Sequence, residues 1–164
     1  MIISTVENTK ATRNMIIWKD IKHFVEKEFA DSLHEGSGSE VDMRTVLNLD
    51  YIWERIFTLT SKKPVIIITQ AVDLYGEHGH SDNSYHLKKN GCTAVDFFIL
   101  TSLSPREQYG VVEKQGFGGI GIYYDWKYKG KTLSIGFHVD RRLRRMMQRW
   151  RRDNGEYIYL LIGE

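Results

Sequence analysis

Residues 42–69 read DMRTVLNLDYIWERIFTLTSKKPVIIIT, and this stretch decides the fold class. Val46, Leu49, Ile52, Trp53 and Ile56 recur at the three- and four-residue spacing that lines one face of an α-helix. A helix is therefore expected from about Asp42 to Ser61. Lys63-Pro64 ends it, because proline has no amide hydrogen and disfavours helical backbone in the residue before it. VIIIT (Val65 to Thr69) follows at once, and its run of β-branched side chains specifies a buried strand. A helix and a buried strand so close together call for a mixed fold.

The pattern extends on both sides. Upstream, IIWKDIKHFVEKEFA (residues 16–30) sets Ile17, Ile21, Phe24, Val25 and Phe29 at helical spacing and predicts an earlier helix. SLHEGSGSE (residues 32–40) is a loop by its Gly and Ser content, and residues 1–14 are expected to form an arm. Downstream, residues 76–90 have no hydrophobic period and hold three of the six His. Strands are expected over residues 93–101, 119–124 and 132–139. RRLRRMMQRWRR (residues 141–152) is expected to be a helix with a Leu143, Met146, Met147 and Trp150 stripe, stopped by Asp153-Asn154-Gly155. A last strand is expected over 157–162. The sum is one α+β domain spanning 1–164, with helices early and late flanking a mostly antiparallel sheet.

Composition sets limits on function. The chain has 164 residues, 41% hydrophobic and 27% charged, which suits one globular domain. No apolar run approaches the roughly 18 residues of a membrane helix. The start, MIISTVENTK, lacks the basic and apolar segments of a secretion signal, so the chain is expected to be cytoplasmic when made. Cys92 stands alone, which excludes an intrachain disulfide and a cysteine zinc finger. Seven Arg lie within residues 141–152, so the rest of the chain is mildly acidic although the net charge is +2. That segment could attract an anionic wall polymer. Neither helix-turn-helix spacing nor a stacking platform accompanies it, so nucleic acid is not the expected partner. Gly116, Gly118, Gly119 and Gly121 suggest a phosphate loop only superficially, because IYYDW after them reads as strand; close packing beneath a site is expected instead.

His86, Asp96 and His138 are compatible with one metal centre, since two imidazoles and a carboxylate form a catalytic zinc set with an open fourth position. Spacing alone leaves other triples open, including ones using His78 or His80. SYHLKKNGCTAVDF (residues 84–97) resembles the Ser-x-His, Gly, Ala-x-Asp signature of the M15 zinc peptidases, which include D-alanyl-D-alanine carboxypeptidases and phage endolysins. GFGGIGIYYDW, GFHVDRR and Arg149-Trp150 resemble the second half of that pattern, in the right order. The resemblance covers about residues 18–160. It implies a hedgehog/DD-peptidase-like fold with zinc at the sheet, held by His86, Asp96 and His138. It further implies hydrolysis of a peptide bond in peptidoglycan stem peptides, as carboxypeptidase or endolysin-type endopeptidase, with the protein acting at the cell wall.

Three departures from the family pattern bear on the chemistry. His86 and Asp96 are ten residues apart where the family has seven, with Lys88, Lys89 and Asn90 resembling an insertion that a small hairpin would absorb. TQAVD (residues 69–73) lacks the Arg that the family often places after its first strand, and this motivates an alternative, a non-catalytic wall-binding or structural module of the same fold. Gly136 and Ile135 stand where many members have the general base. Asp140 is the nearest acid and, two residues along a strand, shares a face with His138. It is the candidate base, and equally the candidate N-cap of the Arg-rich segment. His80, Tyr85 and Tyr124 are candidates to line the cleft.

Overall fold

In the computed structural model, which describes residues 17–133, 135–143 and 147–160, the decisive stretch folds as its pattern dictates. The Asp42 carboxylate accepts from the amides of Arg44 and Thr45, and α1 runs Met43–Thr60 from that cap. Ser61 closes it in left-handed backbone, its amide donating to the Phe57 carbonyl. β1 (Val65–Gln70) follows. The later elements are β2 (Val95–Leu100), α2 (Pro105–Glu113), β3 (Gly119–Tyr123), β4 (Gly136–Asp140), β5 (Gln148–Asp153) and β6 (Glu156–Leu160).

The strands make a six-stranded sheet in the order β1-β2-β4-β3-β5-β6. Every neighbouring pair is antiparallel except β3 and β5, which run parallel. The architecture is thus a single α+β domain. One face buries Val95, Phe97, Ile99, Ile120, Phe137 and Val139 against Val46, Leu49, Ile52 and Ile56 of α1 and Val111 and Val112 of α2. Burying a side chain of this size contributes about 1.5–3 kcal/mol, so this layer dominates stability. The opposite face carries Asp96 and His138.

On that face the register forms a paired row, Gln70, Asp96, His138, Gly121, Trp150 and Tyr159, one residue per strand from β1 to β6. Gly121 is required there, because a Cβ would lie 2.4 Å from Nε1 of Trp150. The glycine-rich stretch is therefore close packing beneath a site, not a phosphate loop.

Two predicted helices are absent. Residues 17–30 form only 3₁₀ turns at Trp18–Asp20 and Glu26–Glu28 (Ile16 lies outside the described residues). The amides of Lys22 and His23 donate to the Asp50 carboxylate on α1 instead of to helix carbonyls. The apolar residues still work, since Ile21, Phe24 and Phe29 are buried, whereas Val25 is exposed. Of the Arg-rich segment, residues 144–146 lie outside the described residues, residues 141–143 and 147 are in neither helix nor strand, and residues 148–152 belong to strand β5. Its alternation suits pairing between β3 and β6, with Trp150 on the site face and Arg149 and Arg151 on the other. Asp153-Asn154-Gly155 is accordingly a hairpin turn, with Asn154 and Gly155 at φ 48° and 82°. The end of the last predicted strand, residues 161–162, and the arm over 1–14 lie outside the described residues. α2 was not anticipated, although Ser104-Pro105-Arg106-Glu107 spells a capping box with proline at the first helical position.

Candidate metal centre

β2 and β4 pair Asp96 directly with His138, and the long loop brings His86 above them. The His86 backbone is held by Asp73, whose amide donates to the His86 carbonyl at 3.0 Å. Lys88, Lys89 and Asn90 form a 3₁₀ turn and not the expected small hairpin, closed by Gly91 in left-handed backbone. Asn90 Nδ2 ties that turn to the carbonyls of Asp82 and Ser84. The longer spacing therefore leaves His86 and Asp96 facing each other.

The ligand atoms of His86, Asp96 and His138 lie within 4.8 Å of one another. Asp96 Oδ1 is 3.4 Å from His86 Nε2 and 2.6 Å from His138 Nδ1. Tetrahedral zinc with bonds of about 2.0–2.2 Å holds its donors roughly 3.4 Å apart. The first distance already matches, and the second is a hydrogen bond that must lengthen when a metal enters. His86 Nδ1 donates to the Ala71 carbonyl at 2.8 Å, which fixes the tautomer and leaves the Nε2 lone pair toward Asp96. Nε2 is buried with no hydrogen-bond partner, an orphan that a metal would satisfy. His138 Nε2 faces Asp140 Oδ2 at 3.2 Å, so both ligand imidazoles are oriented from behind, as metal-binding histidines usually are.

Burial works against the charged form of each group here. Around Asp96 the two imidazoles outweigh it and hold the carboxyl well below the usual range. Around His138 the Asp96 and Asp140 carboxylates outweigh it and lift the imidazole to about 9. Asp140 is itself held low, its burial offset by His138 and Arg142.

Asp140 does share a face with His138, as its spacing predicts. Its carboxyl is fully buried, however, and does not line the cleft. Arg142 encloses it, Nε lying 2.7 and 2.9 Å from its two oxygens and NH2 also donating, while the Arg142 amide donates to Oδ1 at 3.0 Å. The cap-like amide contact forms although residues 141–143 are not helical. The Asp140 carboxylate is thus committed to His138 and Arg142 and does not reach the cleft where the sequence reading would have a general base.

The cleft above the three residues has a volume of about 850 Å³. His80 and Tyr85 line it, whereas Tyr124 does not. His80 stacks on His86 with ring centroids 4.6 Å apart and planes 12° from parallel. Its Nδ1 is 2.7 Å from the buried Asp73 carboxylate, and its Nε2 bonds no described residue. His78 turns away to Asp31, at 2.7 Å. Asp31, Asp73 and His78 also approach one another closely. Their contacts are accounted for, since Asp31 accepts from the amides of Leu33 and Leu74 and Asp73 from those of Gly76 and Glu77. Cys92 is buried, which pushes its thiol up to about 11 and leaves it inert at neutral pH.

Among the described residues, no helix is long and apolar enough to cross a membrane. No family profile, no curated protein and no solved structure matches this chain.

Proposed function

We propose that this chain is an M15-like zinc peptidase that hydrolyses a peptide bond in cell-wall stem peptides. The observation that carries the reading is the convergence of His86, Asp96 and His138 on the floor of a cleft, with the buried lone pair of His86 unpartnered. The donor set of two neutral imidazoles and one carboxylate suits zinc, with a position left open. Zinc bound there supplies Lewis acidity toward the scissile carbonyl and makes water a competent nucleophile near neutral pH.

The protein's own groups do the rest. The Ala71 carbonyl and Asp140 hold the two ligand imidazoles, and Arg142 holds Asp140. His80 moves the proton: Asp73 fixes its Nδ1–H, leaving Nε2 to accept from the attacking water and to deliver to the leaving amine. The buried walls of the centre keep these groups from being solvated separately.

The test is amine release from purified peptidoglycan. Release that depends on zinc, stops with chelator and is absent in His138→Ala supports the reading. Release that persists in His138→Ala contradicts it. A second reading, a wall-binding module without turnover, is favoured by one observation. Residues 69–73 at the end of β1 supply no cation, and Arg142, the Arg lining the cleft, is committed to Asp140 and Gln148. That reading predicts binding to wall material with no cleavage on long incubation.

A further inference from the structure

The face of the sheet beyond the metal ligands carries aromatic surface that the metal chemistry does not use. The paired row leads from His138 through Gly121 to Trp150 and then Tyr159. The next row leads from Gly136 through Tyr123 and Arg152 to Tyr157. Tyr157 and Tyr159, two residues apart on β6, project to the same side, line the cleft, and remain 53% and 62% exposed. The surface is built rather than incidental. Trp126 stacks on Tyr123 at 3.9 Å, Tyr157 meets Tyr123 edge-on at 6.2 Å, and Trp150 Nε1 donates to the Tyr123 hydroxyl at 3.1 Å.

The opposing wall differs in kind. It comes from the long loop and presents Ser81 and Asn83, both exposed and neither side chain bonded to a described residue. One wall offers π faces and the other hydroxyl and amide groups. A ligand that satisfies both has an apolar C–H face and a rim of hydroxyls, which is the chemistry of a pyranose ring. A purely apolar ligand would leave the Ser and Asn wall without partners. A phosphorylated ligand would need a free cation; the Arg142 guanidinium in this cleft is taken by Asp140 and Gln148, and that of Arg152 lies over the Tyr123 and Tyr157 rings with its Nε 3.5 Å from the Asp125 carboxylate.

We infer that the Tyr157 and Tyr159 floor, backed by the buried Trp150, is a saccharide subsite seating a hexopyranose unit of the glycan that carries the stem peptide. This rests on the peptidase reading for the identity of the glycan, though not for the binding itself. Tyr159 lies three strands from His138, on the order of 14 Å away, so a sugar on this floor and a peptide at the metal belong to one substrate molecule. Glycan-linked peptide is then the preferred substrate over free peptide.

The probe is the tetramer of N-acetylglucosamine, titrated by calorimetry and tryptophan fluorescence into zinc-loaded and chelator-treated protein. Saturable binding of equal strength in both forms is expected. Tyr157→Ala/Tyr159→Ala should weaken it by about tenfold or more, and Tyr157→Phe/Tyr159→Phe should largely keep it, because stacking needs the ring and not the hydroxyl. Circular dichroism of both variants verifies the fold. Absence of saturable binding, or binding unchanged in the Ala variant, overturns the subsite. Equal kcat/KM for free and glycan-linked peptide also overturns it and leaves the peptidase reading intact. Oligosaccharide binding without any hydrolysis supports the subsite and removes the peptidase reading.

Discussion

His138 is the most constrained side chain in the centre, because both ring nitrogens face carboxylates. Nδ1 points to Asp96 and Nε2 to Asp140, and only the first can be given up to a metal. Asp140→Asn keeps the shape and removes the charge that holds Nε2–H. Zinc affinity is expected to fall by about 10–100-fold, read by competition with a chromophoric chelator. Unchanged affinity would take Asp140 out of the ligand-orienting role. His80→Gln addresses the proton carrier. Amine release should drop by roughly 10²–10⁴-fold with zinc stoichiometry unchanged, and undiminished turnover would exclude His80. The coming together of His86, Asp96 and His138 was legible in the sequence because short motifs flank each of them. The side of Asp140 was legible too, from the period of two along a strand. What encloses Asp140 was not, since the helix expected over 141–152 gave no reason for Arg142 to turn back onto it. The Asp73–His80 pair was hidden for a similar reason: a loop, with no period to read, brings the two together.

The elements divide by how much their form depends on partners. α1 and β1 were legible because a cap, a periodic face, a proline and a β-branched run agree with one another. The Arg-rich segment offered conflicting local signals. Its Leu, Met and Trp spacing fits a helix, yet Asn154-Gly155 between two runs is also a hairpin signal, and pairing with β3 decides for strand. Residues 17–30 show the same dependence, since the amides of Lys22 and His23 find Asp50 on α1 and the helical ladder is not continued. The β3–β5 pairing rests on Gly121, and Gly121→Ala would push its Cβ into the Trp150 indole. A loss of about 1–3 kcal/mol, with a shift in tryptophan emission, is expected in urea unfolding. A variant as stable as the parent would mean that Trp150 does not lie over that glycine.

At the scale of the whole molecule, the buried charges set how stability follows pH. His138 is raised from its ordinary 6.5 to about 9, so without metal its contribution is complete below pH 6.5 and is lost as pH rises through about 9. Asp96 and Asp140 are lowered from 3.8, so their contributions are present above that value and are lost as pH falls. Metal-free protein should therefore melt highest between roughly pH 4 and 6.5 and lose thermal stability between pH 6.5 and 9. Zinc should restore most of that loss on the alkaline side, because it takes the place of the Nδ1 proton. A metal-free melting curve that rises from pH 6.5 to 9 would contradict the charge arrangement around His138. The claim on which everything else depends is that His86, Asp96 and His138 form one metal centre. Its most direct test is the metal content of the purified, tag-free protein by mass spectrometry, beside the His86→Ala/His138→Ala double variant. About one zinc per chain is expected, absent from the folded double variant. No zinc in the parent protein even after reconstitution, or zinc retained by the variant, would contradict it.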